Sequence, residues 1–336
     1  MPPTNFTCYL VSKSGEEKPS AAVSELPIDQ LPAGDVLVRV AWSSLNYKDA
    51  LGATGHPGVV RRFPHVPGID AAGIVEESGS SNFKPGDRVL ITGFDLGAPA
   101  WGGWSEYVRV PAGWVVPLPA SLSLRESMIF GTAGFTAAQS VEQLIHNEIA
   151  PARGTVLVTG ATGGVGSLAV AMLARLGYRV AAVTGKADAH AWLLEIGAAE
   201  VIGRDQVNDT GTRPLLAARW AGAIDTVGGN TLTTVLRSTD RHGCVTACGL
   251  VGGTDLALTV HPFILRGVRL VGIDSATWAI ERRPALWADM AGAWRPTDLE
   301  KFVADTVSLD GVAPQVQKIL AGGVRGRVLV RLSGEE

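Results

Sequence analysis

The clearest chemistry in this chain sits in seven residues, Gly160-Ala161-Thr162-Gly163-Gly164-Val165-Gly166. They close the apolar run TVLVTG at 155–160, which does not alternate, as expected of a strand covered on both faces. They open a segment with apolar residues at Val165, Leu168, Ala169, Met172 and Leu176, the spacing of one helix face. Gly177 stands where that helix should end. Strand, glycine turn and helix in this order are the setting of the G-x-G-x-x-G phosphate loop. Ala161 takes the first glycine position, while Gly163 and Gly166 keep the second and third. The second glycine lets backbone approach a pyrophosphate; the third lets helix and strand pack closely. The helix N-terminus adds N–H groups and partial positive charge. A tight turn without a ligand is the competing reading.

The next strand decides which dinucleotide such a loop would take. A site for a free ribose 2′-hydroxyl wants Asp or Glu about 20 residues after the loop. Here the strand YRVAAVTG ends in Thr184-Gly185-Lys186, without an acid. A hydroxyl and an ammonium suit a 2′-phosphate, and Arg204, after AAEVIG, offers a second cation. Taken alone, Lys186 reads equally well as an ordinary exposed lysine. The missing carboxylate tips the reading to NADPH.

The elements around this loop define the fold class. From about residue 126, strands alternate with helices: TVLVTG, YRVAAVTG, AAEVIG, GAIDTVGG, GCVTACGL and VRLVGID, with helical segments such as ADAHAWLLEIG between them. That pattern predicts an α/β, doubly wound parallel Rossmann sheet. Residues 1–125 read instead as short strands broken by turns. In DVLVRVAWSSLN, Val36, Val38 and Val40 point one way, Leu37 and Arg39 the other. Lys84-Pro85-Gly86-Asp87 is a turn, and Asp87 is read as a turn residue. The tail holds helix-like ERRPALWADMAGA and APQVQKILAGG, then a strand, RVLVRL.

Composition bounds the remaining possibilities. The chain has 336 residues, room for about two domains. Its 29 Lys+Arg and 32 Asp+Glu leave a net charge of −3, which argues against nucleic acid or an anionic membrane as partner. No apolar run reaches a bilayer-spanning length of about 18 residues. Met1 to Leu10 lack the pattern of a signal peptide. Three cysteines (Cys8, Cys244, Cys248) cannot form a disulfide framework, and a cytoplasmic location is expected. The six histidines are scattered, and none pairs with another at zinc-site spacing.

Beyond these local patterns, SSLNYKD, PHVPGIDAAG, KPGDRV, GTAGFTAA and VTGATGGVG, in that order, resemble the medium-chain dehydrogenase/reductase superfamily. NYKDAL, GTAGFTAAQSV, WAGAIDTVGG, CGLVGG and PFILRGVRLVGIDS resemble its quinone-oxidoreductase branch, and within it the NADPH-dependent acrylyl-CoA reductases. The resemblance implies a GroES-like, mostly β substrate domain from residues 1–125 and 276–336, and a Rossmann NADPH-binding domain at 126–275. It places the active site in the cleft between them. It implies cofactor contacts at Tyr47, at Thr162, Gly163, Gly164 and Val165, at Thr184, Gly185 and Lys186, and at Arg204. Leu250, Ile264, Ser275 and Arg327 complete that set. Lys186 stands where relatives often carry arginine, and Trp192 where they often carry tyrosine. The zinc-ligand positions of alcohol dehydrogenases fall on Asn46 and Ile69, which cannot serve, so no metal is expected.

Without a metal Lewis acid, hydride delivery suits an activated C=C bond. Charge then moves to a carbonyl or thioester oxygen, which needs a placed hydrogen-bond donor. Tyr47 is the first candidate and Asn46 the second. Packing of Tyr47 against the nicotinamide, without proton transfer, explains the residue equally well. Asp49 and Asp70 are expected to hold loops, and Cys248 to be a small buried side chain. The resulting expectation is zinc-independent, NADPH-dependent reduction of a short 2-enoyl-CoA, with acrylyl-CoA first. The alternatives are a quinone or enone oxidoreductase and a non-catalytic NADPH-binding structural or sensor protein. Arg61-Arg62 and Arg282-Arg283 are candidate contacts for the CoA moiety. VRLVGID is a candidate edge strand for a homodimer.

Overall fold

A computed structural model of the chain describes residues 3–15 and 17–333. In chain order the N-terminal elements are β1 (Asn5–Ser12), β2 (Ser20–Pro27), β3 (Val36–Leu45), α1 (Tyr47–Ala53), β4 (Asp70–Ser78), β5 (Arg88–Thr92), β6 (Tyr107–Val110) and β7 (Val116–Pro117). There follow α2 (Leu124–His146), β8 (Val156–Val158), α3 (Gly164–Arg175), β9 (Val180–Val183), α4 (His190–Glu195), β10 (Glu200–Ile202) and β11 (Trp220–Asp225). Next come α5 (Gly229–Ser238), β12 (Thr239–Ala247), α6 (His261–Arg266), β13 (Arg269–Gly272) and α7 (Arg283–Ala291). The last are β14 (Val303–Val307), α8 (Val312–Leu320) and β15 (Arg327–Arg331).

Backbone contacts divide the chain into two compact units. The first joins Met1–Thr132, Ala276–Ala288 and Phe302–Glu336; the second joins Ala133–Ser275 and Asp289–Lys301. These limits differ from 1–125 with 276–336, and from 126–275, at two places. Residues 126–132 group with the first unit. The stretch 289–301 groups with the second, because Trp192 Nε1 donates to Lys301 O at 2.9 Å and Lys301 Nζ meets Glu195 Oε1 at 2.8 Å.

In the first unit β3 is the central strand, flanked by β4, β6 and β15. Its alternation is real, yet both faces are covered. Val36, Val38 and Val40 pack with Val75, Val89 and Ile91, while Leu37 packs with Trp104 and Val328 in a second core. Within the strand only Arg39, paired with Glu76, is partly exposed, unlike a half-exposed antiparallel strand.

In the second unit, among the described residues, six parallel strands run in the order β10-β9-β8-β11-β12-β13. Numbered within the unit, that order is 3-2-1-4-5-6, the doubly wound Rossmann topology. The switch point lies between β8 and β11, where a dinucleotide is expected. α3 ends at Arg175, and Gly177 takes φ +82° just beyond it. The helix is not amphipathic as its spacing predicted. Every residue from Gly166 to Leu173 is buried, while Val165 and Leu176 are only partly covered. A helix covered all round has no polar face to present. Among the described residues, no helix is long and apolar enough to cross a membrane.

Candidate active site

The glycines of the second unit show why no other residue would serve. Gly160 adopts φ +58°, and a Cβ there would meet Thr226 Oγ1 at 2.2 Å. A Cβ on Gly166 would lie 2.4 Å from Gly160 O and 2.8 Å from Ala161 Cα. Such contacts leave no room for a side chain. A Cβ on Gly163 would meet only Gly160 O, at 3.4 Å, so that face of the turn is open. Gly163 is the N-cap of α3, and no side chain caps the helix. The first-turn N–H groups are thus presented as an anion site.

At the end of β9, Thr184 is buried and its Oγ1 accepts from Lys186 N at 3.0 Å. A Cβ on Gly185 would lie 2.9 Å from Arg204 Nε, so the arginine side chain runs directly over that glycine. The Arg204 side chain thus lies over the strand end where a ribose 2′-substituent would sit, and Lys186 is the residue that follows this glycine. The open glycine turn, the uncapped helix and this cationic corner fit a dinucleotide carrying a 2′-phosphate.

Sequence reasoning missed the brace behind the loop. Asp225, fully buried at the end of β11, accepts from Thr159 Oγ1 at 2.7 Å and from Gly228 N at 2.7 Å. Thr226 Oγ1 donates to Thr159 O at 2.9 Å, and Thr226 N to Thr159 Oγ1 at 3.0 Å. The strand end that feeds the glycine turn is therefore clamped to β11 at the switch point. Burial pushes the Asp225 carboxyl up, against the pull of these bonds. An acid at a strand end before a Thr-Val-Gly-Gly turn was the available signal. Cys248 Sγ donates to Asp225 O at 3.4 Å, and burial followed by the Asp225 charge pushes this thiol up to about 12. A thiol pushed toward its protonated form is a poor nucleophile.

Of the other residues expected near a cofactor, Thr162 is buried in the turn. Ser275 Oγ accepts from Thr136 Oγ1 at 2.8 Å. Leu250 and Ile264 are exposed, Ile264 to 70 %. Trp192 is buried and spends its indole N–H on Lys301 O.

The first unit builds its polar centre from side chains. Asn46 is the N-cap of α1 and forms a capping box with Asp49. Tyr47 is the first residue of the helix and is 43 % exposed. Both Asp49 oxygens accept only from N–H groups: Asn46 N (2.8 Å), Asn46 Nδ2 (3.0 Å), Gly68 N (3.2 Å) and Ile69 N (2.7 Å). Burial, then the Asp70 charge, raises this carboxyl to about 7 in spite of those donors. Asp70 Oδ1 accepts from Thr132 N (2.8 Å) and Thr132 Oγ1 (2.6 Å). Its Oδ2 accepts from Ser44 Oγ and from Asn46 Nδ2 (2.8 Å), and lies 3.6 Å from Arg327 Nη2.

This geometry bears on three expectations. In this structure the Asn46 amide N–H groups are engaged by Asp49 and Asp70, and its Oδ1 accepts from Arg327 Nη1 at 3.0 Å. Arg327, expected among the cofactor contacts, is 2 % exposed. Its guanidinium is spent on Ile129 O, Leu45 O, Asn46, Ser44 and Asp70. Arg283, paired with Arg282 as a contact for CoA, is fully buried and donates to Trp278 O, Thr92 O and Ala276 O over the Phe94 ring. Arg282 stacks on Trp278, and Arg61 and Arg62 remain exposed. Ile69 packs with Val59 and Ala98, so its position is apolar. A committed amide and an isoleucine are not metal ligands.

Two family models match the chain: the alcohol dehydrogenase GroES-like domain over residues 32–120, and the zinc-binding dehydrogenase domain over residues 164–291. The acrylyl-CoA reductase AcuI of Ruegeria pomeroyi is 45% identical over 328 residues, 97% of this chain and 98% of that protein. The YhdH oxidoreductase of Salmonella enterica, solved in complex with NADP, has a TM-score of 0.93 at 46% identity, covering 97% of this chain and 99% of that one. The Bacillus subtilis protein YhfP, solved with NAD bound, has a TM-score of 0.95 at 44% identity, covering 98% of this chain and 100% of that one. The chain belongs to the medium-chain dehydrogenase/reductase superfamily, in the branch of the quinone oxidoreductases and acrylyl-CoA reductases.

Proposed function

We propose that this chain is a cytoplasmic, zinc-independent enzyme that reduces the C=C bond of a short 2-enoyl-CoA with NADPH, converting acrylyl-CoA to propionyl-CoA. The observation that carries the substrate class is 45% identity to an acrylyl-CoA reductase along almost the whole of both chains. The cationic corner of Thr184, Gly185, Lys186 and Arg204 supports NADPH over NADH, although one close relative was solved with NAD. When bound, NADPH supplies the hydride that reaches the β-carbon. The turn Thr162-Gly163-Gly164-Val165 at the start of α3 holds its pyrophosphate. Leu250, Ile264 and Ser275 remain candidate contacts for the rest of the cofactor.

The protein must then bond the thioester oxygen as charge gathers there, while a proton reaches the α-carbon. With the Asn46 amide committed, Tyr47 is the donor this reading assigns. Its hydroxyl bonds the oxygen from the exposed start of α1. Arg61, Arg62 and Arg282 are the exposed candidates left to meet the CoA phosphates.

The test is turnover of acrylyl-CoA, crotonyl-CoA and a benzoquinone, each with NADPH. The reading expects kcat/KM to fall in that order. A benzoquinone turned over best makes the chain a quinone oxidoreductase. Tight NADPH binding without turnover of any of them makes it a binding protein.

We also propose that the chain forms a homodimer through β13, the last strand of its sheet, which among the described residues pairs only with β12. Val260, Ile264 and Leu265, just before it, are exposed apolar side chains. Light scattering should give twice the 35.1 kDa chain mass. A monomer mass at micromolar concentration rejects this arrangement.

A further inference from the structure

We propose that Asp70 is a positioning residue for the reaction: through the Asn46 amide and Arg327 it fixes the first turn of α1, and with it Tyr47. This rests on the reading of Tyr47 as the donor to the substrate oxygen.

The argument starts from how many segments one carboxylate ties together. Asp70 opens β4. Its side chain reaches Ser44 near the end of β3, Asn46 at the cap of α1, Thr132 in α2 and Arg327 at the start of β15. Ser43 Oγ also donates to the Asp70 carbonyl at 2.6 Å. The fit is close. Gly131 leaves helical geometry inside α2 (φ +50°, ψ −156°), and a Cβ there would lie 2.4 Å from Asp70 Oδ2 and 2.9 Å from Arg327 Nη2. The helix is thus broken at the point where its backbone passes the ion pair.

The cluster also fixes the orientation of the Asn46 amide. Its Nδ2 faces two carboxylates and its Oδ1 faces a guanidinium, so a flipped amide would oppose all three partners. A helix cap alone needs only a side-chain oxygen facing the first-turn N–H groups. Asn46 has the additional Asp70 and Arg327 bonds, which a cap does not require. Those bonds set where the cap stands relative to β4 and β15. Tyr47 is the next residue in the chain, and its exposed ring takes its direction from that turn. A partly free cap would let the phenol sample several directions, and misplacement by about 1 Å is enough to cost roughly 10²-fold in rate.

Two substitutions separate positioning from stability. Asp70→Asn keeps the shape and removes the charge. Asn46→Ser keeps a good cap but removes the reach to Asp70 and Arg327, and it serves if Asp70→Asn does not fold. Each is made alone and with Tyr47→Phe. Single-turnover NADPH oxidation with excess acrylyl-CoA gives the rate. NADPH affinity comes from fluorescence titration, and the Tm from thermal melts.

The expected result is a rate lowered about 10- to 100-fold by either variant, with NADPH affinity within about twofold of wild type. Tyr47→Phe alone should lower it by roughly 10²–10³-fold. In the Tyr47→Phe background, neither variant should slow the enzyme further, because both act through the missing hydroxyl. Losses that multiply in the double variants overturn the positioning role, even when Tyr47→Phe is slow. So does a wild-type rate for Asn46→Ser. A wild-type rate for Tyr47→Phe rejects the donor reading itself, and the positioning role with it.

Discussion

The phosphate loop of the second unit and the polar centre of the first are built from opposite materials. The loop is backbone: glycines whose missing side chains leave N–H groups and space for an anion. The polar centre is side chain: two carboxylates, an amide, hydroxyls and a guanidinium, each holding the next. A backbone site tolerates no added atoms and has little to titrate. A side-chain site can be weakened one bond at a time and responds to pH. The difference predicts how each should fail.

The largest effect is expected at Gly166. A methyl there would have to occupy space 2.4 Å from Gly160 O, with backbone on both sides. Gly166→Ala should raise the NADPH dissociation constant at least about 100-fold, because the turn must open to admit the methyl. Fluorescence titration measures this directly. Wild-type affinity in that variant would refute the closed-turn account.

The same contrast explains what was legible in the sequence. The loop's parts lie within seven consecutive residues, and their order between strand and helix is the signal. The parallel, doubly wound class follows from the alternation of elements around it, whereas the strand order is visible only in the structure. The polar centre joins residues 44, 46, 49, 70, 132 and 327, which no local pattern brings together. The Asn46–Asp49 capping box and the Asn46–Ser44 contact are local. Asn46 and Arg327 could be placed near the chemistry by resemblance, but not given their partners. The burial of Arg283 was hidden for a similar reason, since its acceptors are carbonyls of Thr92, Ala276 and Trp278. Surface arginines and buried ones look alike until the backbone around them is known.

A smaller effect is expected at the edge of the backbone site, where side chains enter it. Lys186→Ala should raise the NADPH KM by about 10- to 100-fold, the worth of a charge-assisted bond of about 1.5–3 kcal/mol. The NADH KM should change much less. Equal changes for both cofactors would remove Lys186 from the 2′-phosphate site and leave Arg204 alone there.

The pH response is carried by Asp49 and His65 of the first unit, with Asp225 of the second, raised by burial, acting in the same sense as Asp49. In the folded chain Asp49 holds its proton to about pH 7, whereas an unfolded aspartate loses it near pH 4. The folded state therefore binds more protons in that window, and Asp49 makes stability fall as pH rises from about 4 to 7. His65 works in the opposite sense. Burial lowers it to about 4, so stability is lost as pH falls from about 6.5 to 4. Thermal melts across this range should show the sum. Asp49→Asn should make the Tm rise more steeply with pH, whatever its effect on the absolute value. An unchanged slope would mean that Asp49 is ionised throughout, as its ring of N–H donors alone would favour.

The smallest effect is expected at the cysteines, and it sharpens the view that the second unit binds through backbone. Burial raises Cys8 to about 12, Cys244 to about 11 and Cys248 to about 12. At pH 8 about one Cys244 thiol in a thousand is then thiolate, and fewer for the other two. Cys248 is the informative one, because its Sγ bonds the carbonyl of Asp225 beside the brace of the phosphate loop. That bond is long, at 3.4 Å, and a thiol is a weak donor. Cys248→Ala should leave NADPH affinity and the single-turnover rate within about twofold of wild type. Iodoacetamide at pH 8 should leave the native protein active over an hour. Rapid inactivation, prevented by NADPH and abolished in Cys248→Ala, would show a reactive thiol at the cofactor and place side-chain chemistry at a part-buried sulfur that its surroundings push toward the protonated form.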